Sequence, residues 1–282
     1  MMMKATIAQT KLILKRKEAI CVFYILFIMV LANFIRNVSD FQGFYIPEMY
    51  HPMRLLLLSY DRTNWNAGNT ILLIQVYPLL VACAAGFSLA REYQRGTQVF
   101  LVSRLGNLSY HVSKYLSVFL ATMIVFTVPF LLEIVLNCVS FPLSATGNLA
   151  NWSVYSTNYR DAVEHYFMKE LYLYSPYLYA VAGTLFFGAV SGLFGVFTAA
   201  VSSLIKVKYT VFLFLPVFVG LYLSSSLGNK LPRESPSIVW YDYLLLFNDQ
   251  AQNRGVLAAA IVVLILFTVC TACISGRKDC LS

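Results

Sequence analysis

Six long apolar stretches, separated by shorter polar segments, form the main pattern along the chain. They comprise residues 19–35, 71–90, 115–139, 176–205, 209–227 and 256–275. A membrane helix needs about 20 mostly apolar residues to cross the hydrocarbon core, and these stretches are of that order. Lipid offers the backbone no hydrogen-bond partner, and none of these stretches alternates as barrel strands do. The pattern therefore predicts an all-α membrane protein with six transmembrane helices.

The composition places the whole chain in the membrane class. Of its 282 residues, 59% are apolar and 12% are charged, and the mean hydropathy is +0.68. Soluble domains have about a quarter of their residues charged. We therefore predict a single transmembrane domain over residues 1–282, with the lipid bilayer as its surroundings.

Lysine and arginine are distributed unequally between the two sides of the predicted membrane. With the N-terminus inside, thirteen of the 21 basic residues fall on the cytoplasmic side, and the other eight are accompanied by nine acids. Cytoplasmic loops collect basic residues, so we predict a multi-pass membrane protein with both termini cytoplasmic. The basic residues lie beside apolar runs rather than on one soluble face, which argues against a nucleic-acid partner.

Two short segments outside the spans have a predicted structure of their own. Residues 4–18 put Lys4, Lys11, Lys15 and Glu18 on one helical face, which is typical of an interfacial helix on the inner leaflet. The alternative is a plain cytoplasmic extension of the first span. Residues 237–247, between spans five and six, are mostly apolar but too short to cross. They form either a re-entrant or interfacial segment or a folded surface loop.

Two long outer segments, residues 36–70 and 140–175, are polar and rich in aromatic residues. They include Trp65 and Trp152, which are candidates for anchors at the membrane surface. Residues 159–170 have mixed charges and fit one short amphipathic helix.

The sequence lacks the common catalytic motifs. None of its fourteen glycines is followed by lysine, so the phosphate-binding loop of ATPases is absent. No H-E-x-x-H or G-x-S-x-G motif occurs, and five of the six cysteines lie inside apolar runs, where they are expected to act as small hydrophobic residues. We therefore predict neither an enzyme nor a chain that holds its own cofactor or metal.

Glu133 is the only charged residue inside a predicted span. Its presence needs a reason, because a charge in hydrocarbon costs about 2.5 kcal/mol or more. One interpretation is a translocation path formed with Gln75, or a proton site. The preferred interpretation is a carboxylate that reaches the outer interface or pairs with Asn137 one turn on.

The fourth span contains small residues at helical spacing. Gly188, Gly192 and Gly195 allow another helix to approach closely. They predict either a packed interior or a seam between two subunits.

A basic segment, residues 90–114, follows the second span directly. It begins Ala-Arg-Glu-Tyr-Gln-Arg-Gly-Thr and continues with an apolar patch, residues 99–102, which fits a short surface helix. This arrangement resembles the permease subunit of the type 2 ABC exporter family, which typically carries an acid, a basic residue and a Gly-Thr pair at this cytoplasmic position. The resemblance covers the whole chain in topology and residues 91–97 in motif. The outer segments, 36–70 and 140–175, are longer than compact members of that family need.

The resemblance implies a half-transporter in a bacterial plasma membrane that exports an amphiphile, such as a peptide antibiotic, a drug or a lipid-linked molecule. Two permease subunits, identical or related, would join two cytoplasmic ATPase subunits that bind ATP and magnesium. Residues 4–18 would be the connecting helix, and residues 92–106 the coupling helix that docks in the ATPase. The implied coupling residues are Arg91, Glu92, Arg95, Gly96, Thr97, Phe100, Leu101 and Arg104.

Other interpretations of the chain remain open. Residues 90–114 could be an ordinary basic loop on the cytoplasmic side. The protein could be a membrane sensor or assembly factor that binds a ligand through its outer segments without transporting it. An ion- or proton-coupled carrier built on Glu133 is less favoured, because the spans show no convincing internal repeat.

Overall fold

A computed structural model describes residues 2–40, 52–60, 67–141, 166–204, 209–228, 230, 237–248 and 253–277. These residues form eleven α-helices. They are α1 (Met2–Leu14), α2 (Lys17–Asp40), α3 (Ala67–Val81), α4 (Ser88–Gln94), α5 (Thr97–Leu105), α6 (Asn107–Ser140), α7 (Lys169–Tyr174), α8 (Pro176–Leu204), α9 (Leu215–Gly228), α10 (Trp240–Leu244) and α11 (Arg254–Arg277). Short 3-10 helices cover Pro52–Leu55 and Thr210–Phe214.

Six helical stretches are long and apolar enough to cross a membrane. They are Lys17–Asp40, Gly68–Gly86, Asn107–Ser140, Pro176–Leu204, Thr210–Gly228 and Arg254–Ile274. The prediction of six apolar helices of spanning length is therefore confirmed. The predicted start of the fifth is refined, since its first turn is a 3-10 helix, Thr210–Phe214, ahead of α9.

Helices α6 and α8 pack against each other along the centre of the bundle. A Cβ atom added at Gly188 would lie 1.9 Å from Thr127 Oγ1, and one added at Gly195 would lie 2.6 Å from Thr122 Oγ1. Gly192 faces Phe119 in the same way, with a Cβ-to-ring distance of 2.8 Å. These glycines therefore face α6 of the same chain, which is the packed interior rather than a seam between subunits.

The second span was predicted as a single helix over residues 71–90, but it is not one continuous α-helix. A π-helical turn, Ala82–Gly86, interrupts it, and α4 then continues the chain. Its small residues let this widened turn approach α8, since a Cβ added at Gly86 would lie 2.7 Å from Thr198 Cβ.

The N-terminal helix ends earlier than predicted. Helix α1 stops at Leu14, so Glu18 belongs to α2 rather than to the same helical face as Lys4. Polar side chains on α1 face the bundle, where Gln9 Oε1 accepts a hydrogen bond from Ser117 on α6 at 3.2 Å. Its apolar Met3 and Leu12 are 77% and 65% exposed. The outward face of this helix therefore carries apolar as well as basic residues.

Part of the first outer segment lies inside the bundle. Residues 52–59 are all buried, which corrects the prediction of a polar surface loop over this part of 36–70. The backbone of this part pairs with the chain before α11, because Leu246 N donates to Leu58 O and Tyr60 N donates to Leu246 O, both at 2.9 Å. Residues 41–51, 61–66 and 142–165, with Trp65 and Trp152, lie outside the described residues.

The predicted short segment between spans five and six is packed among the helices. Its helix α10 places Trp240 in a stacked contact with Tyr77 of α3, with ring centroids 5.0 Å apart. Tyr77 lies ten residues into α3, about 15 Å along the helix axis. The segment therefore enters the end of the bundle instead of lying on its surface.

We predict that Gly188→Ala destabilises the α6–α8 contact by about 1–3 kcal/mol, because the added methyl group overlaps Thr127 Oγ1. The free energy of unfolding, measured by chemical denaturation in detergent micelles, checks this. Thr127→Ala in the same chain should recover part of the loss. Gly68→Ala is the matched control, since its Cβ would meet nothing within 4 Å. Equal effects at the two glycines would contradict the packing.

Candidate functional site

The basic end of the bundle is organised around the carboxylate of Glu92 on α4. Its Oε1 accepts from Arg16 Nη2 at 3.0 Å and from Lys114 Nζ at 2.5 Å. Its Oε2 accepts from the Tyr110 hydroxyl at 2.8 Å. These partners come from the turn between α1 and α2 and from the first turns of α6. We call these four residues the Glu92 cluster.

The Glu92 cluster is largely shielded from solvent. The side chain of Lys114 is 1% exposed and that of Glu92 is 12% exposed, whereas Arg16 is 27% exposed. A charge at that depth is tolerated only when it is paired and hydrogen-bonded, and Glu92 provides that pairing for Lys114. The cluster therefore holds α4 against α6 and the α1–α2 turn.

A second ion pair lies beside the Glu92 cluster. Arg91 pairs with Glu18 at the start of α2, and Arg16 Nη1 also donates to the Ser88 carbonyl at 3.3 Å. Arg91 and Glu92, two of the predicted coupling residues, thus face other helices of this chain. Their charges serve the internal structure.

The outward surface of this end is formed by α5 and the turn before it. Gly96 has φ 66°, a left-handed conformation that turns the chain from α4 into α5, and Gly106, with φ 79°, ends the helix. Phe100 is 73% exposed, and Arg95 and Arg104 are exposed on either side of it in sequence. We call these three residues the α5 surface.

The inner side of α5 fixes it to the bundle. Leu101 is half-buried and packs on a cluster of buried residues that includes Ile13, Leu89 and Tyr110. Thr97 is exposed, and its hydroxyl lies 3.5 Å from the Glu92 carbonyl. The predicted coupling residues therefore divide into an internal set and an exposed set.

Sequence reasoning placed Tyr110 and Lys114 in the basic segment 90–114 without giving them a role, and it did not connect Arg16 with Glu92. Arg16 lies 76 positions from Glu92, so no local spacing relates them. Tyr110 and Lys114, however, are four residues apart and share one face of a helix. The signal in the sequence that could have indicated a buried cluster is a lysine on the same helical face as a tyrosine, at the start of an apolar span.

Glu133 lies at the opposite end of the bundle and is 1% exposed. Its Oε1 accepts from Asn33 Nδ2 on α2 at 2.7 Å and from the Leu57 backbone N–H at 2.8 Å. The preferred expectation was therefore wrong, because the carboxyl neither reaches the interface nor pairs with Asn137. Asn137 Nδ2 instead donates to the Pro52 carbonyl at 3.3 Å. Both side chains face the segment 52–60, which sequence spacing did not reveal.

Several further side chains hold the buried segment 52–60 by its backbone. Asn33 and Asn37 on α2 both donate to the Leu55 carbonyl, at 3.0 and 2.7 Å, and Thr70 on α3 donates to the Leu57 carbonyl at 3.0 Å. Buried backbone groups need such partners. These contacts explain why the spans contain polar residues. Their side chains hold an irregular segment of backbone in place.

Gln75, proposed as a partner of Glu133 in a translocation path, does not share its environment. Gln75 is exposed on α3, whereas Glu133 faces α2 and residues 52–57. Within a single chain, Gln75 and Glu133 therefore do not form a shared polar site. Among the described residues, no group of three His, Cys, Asp or Glu side chains could hold a metal ion.

No protein-family model, curated protein or solved structure matches the chain. The resemblance to exporter permeases therefore rests on residues 91–97 and on the plan of six apolar helices. The side-chain arrangements at the two ends of the bundle therefore carry the structural information on function.

We predict that Glu92→Gln lowers the free energy of unfolding by about 3–5 kcal/mol, because it leaves Lys114 buried without a full counter-charge. Adding Lys114→Met should recover part of this loss. Asp40→Asn is the control, since its pair with Arg36 is nearly half exposed and is worth about 0.3–0.5 kcal/mol. Chemical denaturation in micelles measures all three. Equal losses for Glu92→Gln and Asp40→Asn would exclude the cluster as a structural centre.

We predict that Glu133→Leu costs about 1–3 kcal/mol of unfolding free energy, because Asn33 and the Leu57 N–H lose their acceptor. Glu133→Gln keeps a carbonyl acceptor at the same place and should cost much less. The same denaturation assay compares the two variants. If Gln is as damaging as Leu, the carboxyl group has a role that this hydrogen-bond pattern does not explain.

Proposed function

We propose that the chain is the membrane subunit of an ATP-driven exporter of the type 2 ABC kind, working with separate ATPase subunits that bind ATP and magnesium. The observation that carries the proposal is the two-sided arrangement around α5. Its outer side exposes Phe100 together with Arg95 and Arg104. Glu92, on the preceding helix α4, is bound to the α1–α2 turn and to α6.

The α5 surface has the chemistry of a protein-docking site. An exposed aromatic residue flanked by arginines is the composition in which binding energy concentrates at protein interfaces. A partner with an apolar pocket and an acidic rim would complement it. In an exporter, this partner is the ATPase subunit.

The Glu92 cluster gives the docked partner a mechanical connection to the bundle. Because its charges are paired at low exposure, moving α4 without α6 or the α1–α2 turn would separate buried charges, which is costly. A displacement of α5 is therefore passed to α2 and α6 together. ATP binding would drive the cycle by favouring one of two arrangements, and this chain needs no chemistry of its own.

The proposed orientation puts this basic end in the cytoplasm of a bacterial cell and the Glu133 end outside. Supporting it are the basic residues of α1, α4 and α5, which the fold gathers at one end, and the rule that cytoplasmic segments are basic. In this orientation α1 lies along the inner leaflet, and both termini are cytoplasmic.

A second permease subunit, identical or related, is part of the proposal. Gln75 supports it, because an exposed amide partway along an apolar span is unfavourable against lipid and favourable against a polar group of another subunit. An amphiphile remains the proposed substrate class. It is supported by the aromatic composition of the outer segments, 36–70 and 140–175.

We predict that Phe100→Ala and Arg104→Ala each reduce the amount of ATPase subunit that co-purifies with the tagged chain by about fivefold or more, as loss of an interface anchor would. The tagged chain is expressed in its native cells, where its own partners are present, and purified in mild detergent. Bound ATPase is quantified on gels and by ATP hydrolysis.

Tyr174→Ala is the matched control for Phe100→Ala, because Tyr174 is an aromatic residue with 81% exposure on α7, at the other end of the bundle. It should leave the recovered ATPase unchanged. If the unaltered chain brings down no ATPase, the exporter proposal is lost and the sensor or assembly interpretation takes its place. If Tyr174→Ala and Phe100→Ala are equally harmful, docking through the α5 surface is excluded.

A further inference from the structure

A large apolar groove runs between α8, α9 and α11 and is closed at one end by α10. Its volume is about 350 Å³. Helix α8 contributes Val190, Phe194 and Phe197, and α11 contributes residues from Val256 to Leu264. Such a volume is within the range of small-molecule binding sites, about 300–1,000 Å³.

The groove exists because one side of α9 carries no bulky side chain. Pro216, Gly220 and Ser224 all line it and recur every fourth residue, so they stack on one helical face. A Cβ added at Gly220 would meet nothing within 4 Å. On α9, the buried residues are Val217 and Leu221. Helix α9 therefore stands away from α11 instead of packing against it.

The polar groups beside the groove are already satisfied within the chain. Ser224 Oγ donates to the Ile238 carbonyl at 2.7 Å and accepts from Trp240 N–H at 3.1 Å. The Tyr243 hydroxyl donates to the Ser237 carbonyl and accepts from Asn253 N–H at 3.3 Å. The two hydroxyl groups in the lining therefore serve the fold, and the rest of the lining is apolar except for the Trp240 indole.

The chemistry of the groove indicates an apolar occupant. An apolar cavity does not hold water. The helices that form the groove belong to apolar stretches of membrane-spanning length, so lipid hydrocarbon lies beside it in a bilayer. A hydrocarbon chain matches the apolar lining and is flexible enough to follow its shape.

The mouth of the groove suits the polar part of a lipid. Arg254 is exposed at the start of α11, just ahead of the lining residues Val256 and Leu257, and its charge complements a phosphate group. The groove is also continuous with the exposed apolar sides of α9 and α11, where Val219 and Val263 are 48% and 63% exposed.

We propose that this groove binds one acyl chain of a membrane phospholipid, with the lipid phosphate near Arg254. The site requires only that the six apolar helices lie in a bilayer. It does not depend on the proposed exporter function or on a docked ATPase.

The fluorescence of Trp240 provides the test, since this side chain lines the groove. The chain has three tryptophans, so Trp65→Phe and Trp152→Phe leave Trp240 as the only one. This variant is placed in nanodiscs of phosphatidylcholine that is either plain or brominated along its acyl chains. We expect strong quenching by the brominated lipid. Gly220→Leu, which fills the groove, should remove most of it, whereas Gly68→Leu, at another open glycine, should not.

A second pair of variants fills the groove from the opposite wall. Ala260 lines the groove and its neighbour Ala259 is exposed outside it, so Ala260→Leu should reduce quenching and Ala259→Leu should not. Only variants that elute as single species on gel filtration are compared. Equal quenching in filled and unfilled variants would mean that surrounding lipid alone reaches Trp240, and would overturn the proposal. Absence of quenching in the unaltered groove, with cross-links between α9 helices of two chains, would overturn it in favour of a second copy.

Discussion

The buried ion pair between Glu92 and Lys114 is the interaction on which the basic end of the structure depends. Lys114 is almost fully enclosed, and an enclosed ammonium group is stable only with a paired carboxylate. Arg16 and Tyr110 complete the shell around that carboxylate. Three parts of the chain, the α1–α2 turn, α4 and the start of α6, are thereby fixed to each other. Helix α5 follows α4 after a two-residue turn, so this cluster also fixes the position of α5.

The two ends of the bundle use different chemistry for different purposes. The basic end joins regular helices through charged pairs and exposes an aromatic and basic surface on α5. The other end uses Asn33, Asn37 and Glu133 to satisfy the backbone of a buried, irregular segment. Between them, close contact of α6 with the glycines of α8 forms a continuous packed axis. In the proposed mechanism, a movement imposed at α5 would reach the far end through α6, which carries both Lys114 and Glu133.

The sequence was sufficient for the six apolar helices, because length and charge depletion are local properties of the chain. It was insufficient for contacts between distant positions. The four leucines at 55–58 form too short a run to identify as a buried segment, and Glu133 was paired with Asn137 because helical spacing was the only geometry available. The break at Ala82–Gly86 also went unpredicted, and the close approach of α8 at Thr198 that accompanies it joins positions far apart in sequence.

The central claim is that α5 is the surface on which an ATPase subunit acts. Its most direct test is a photo-reactive phenylalanine analogue placed at position 100 in intact cells, with the same analogue at position 174 for comparison. The account predicts a covalent product with an ATP-binding protein from position 100 and none from position 174. Products with lipid alone, or the same protein captured from both positions, would contradict it.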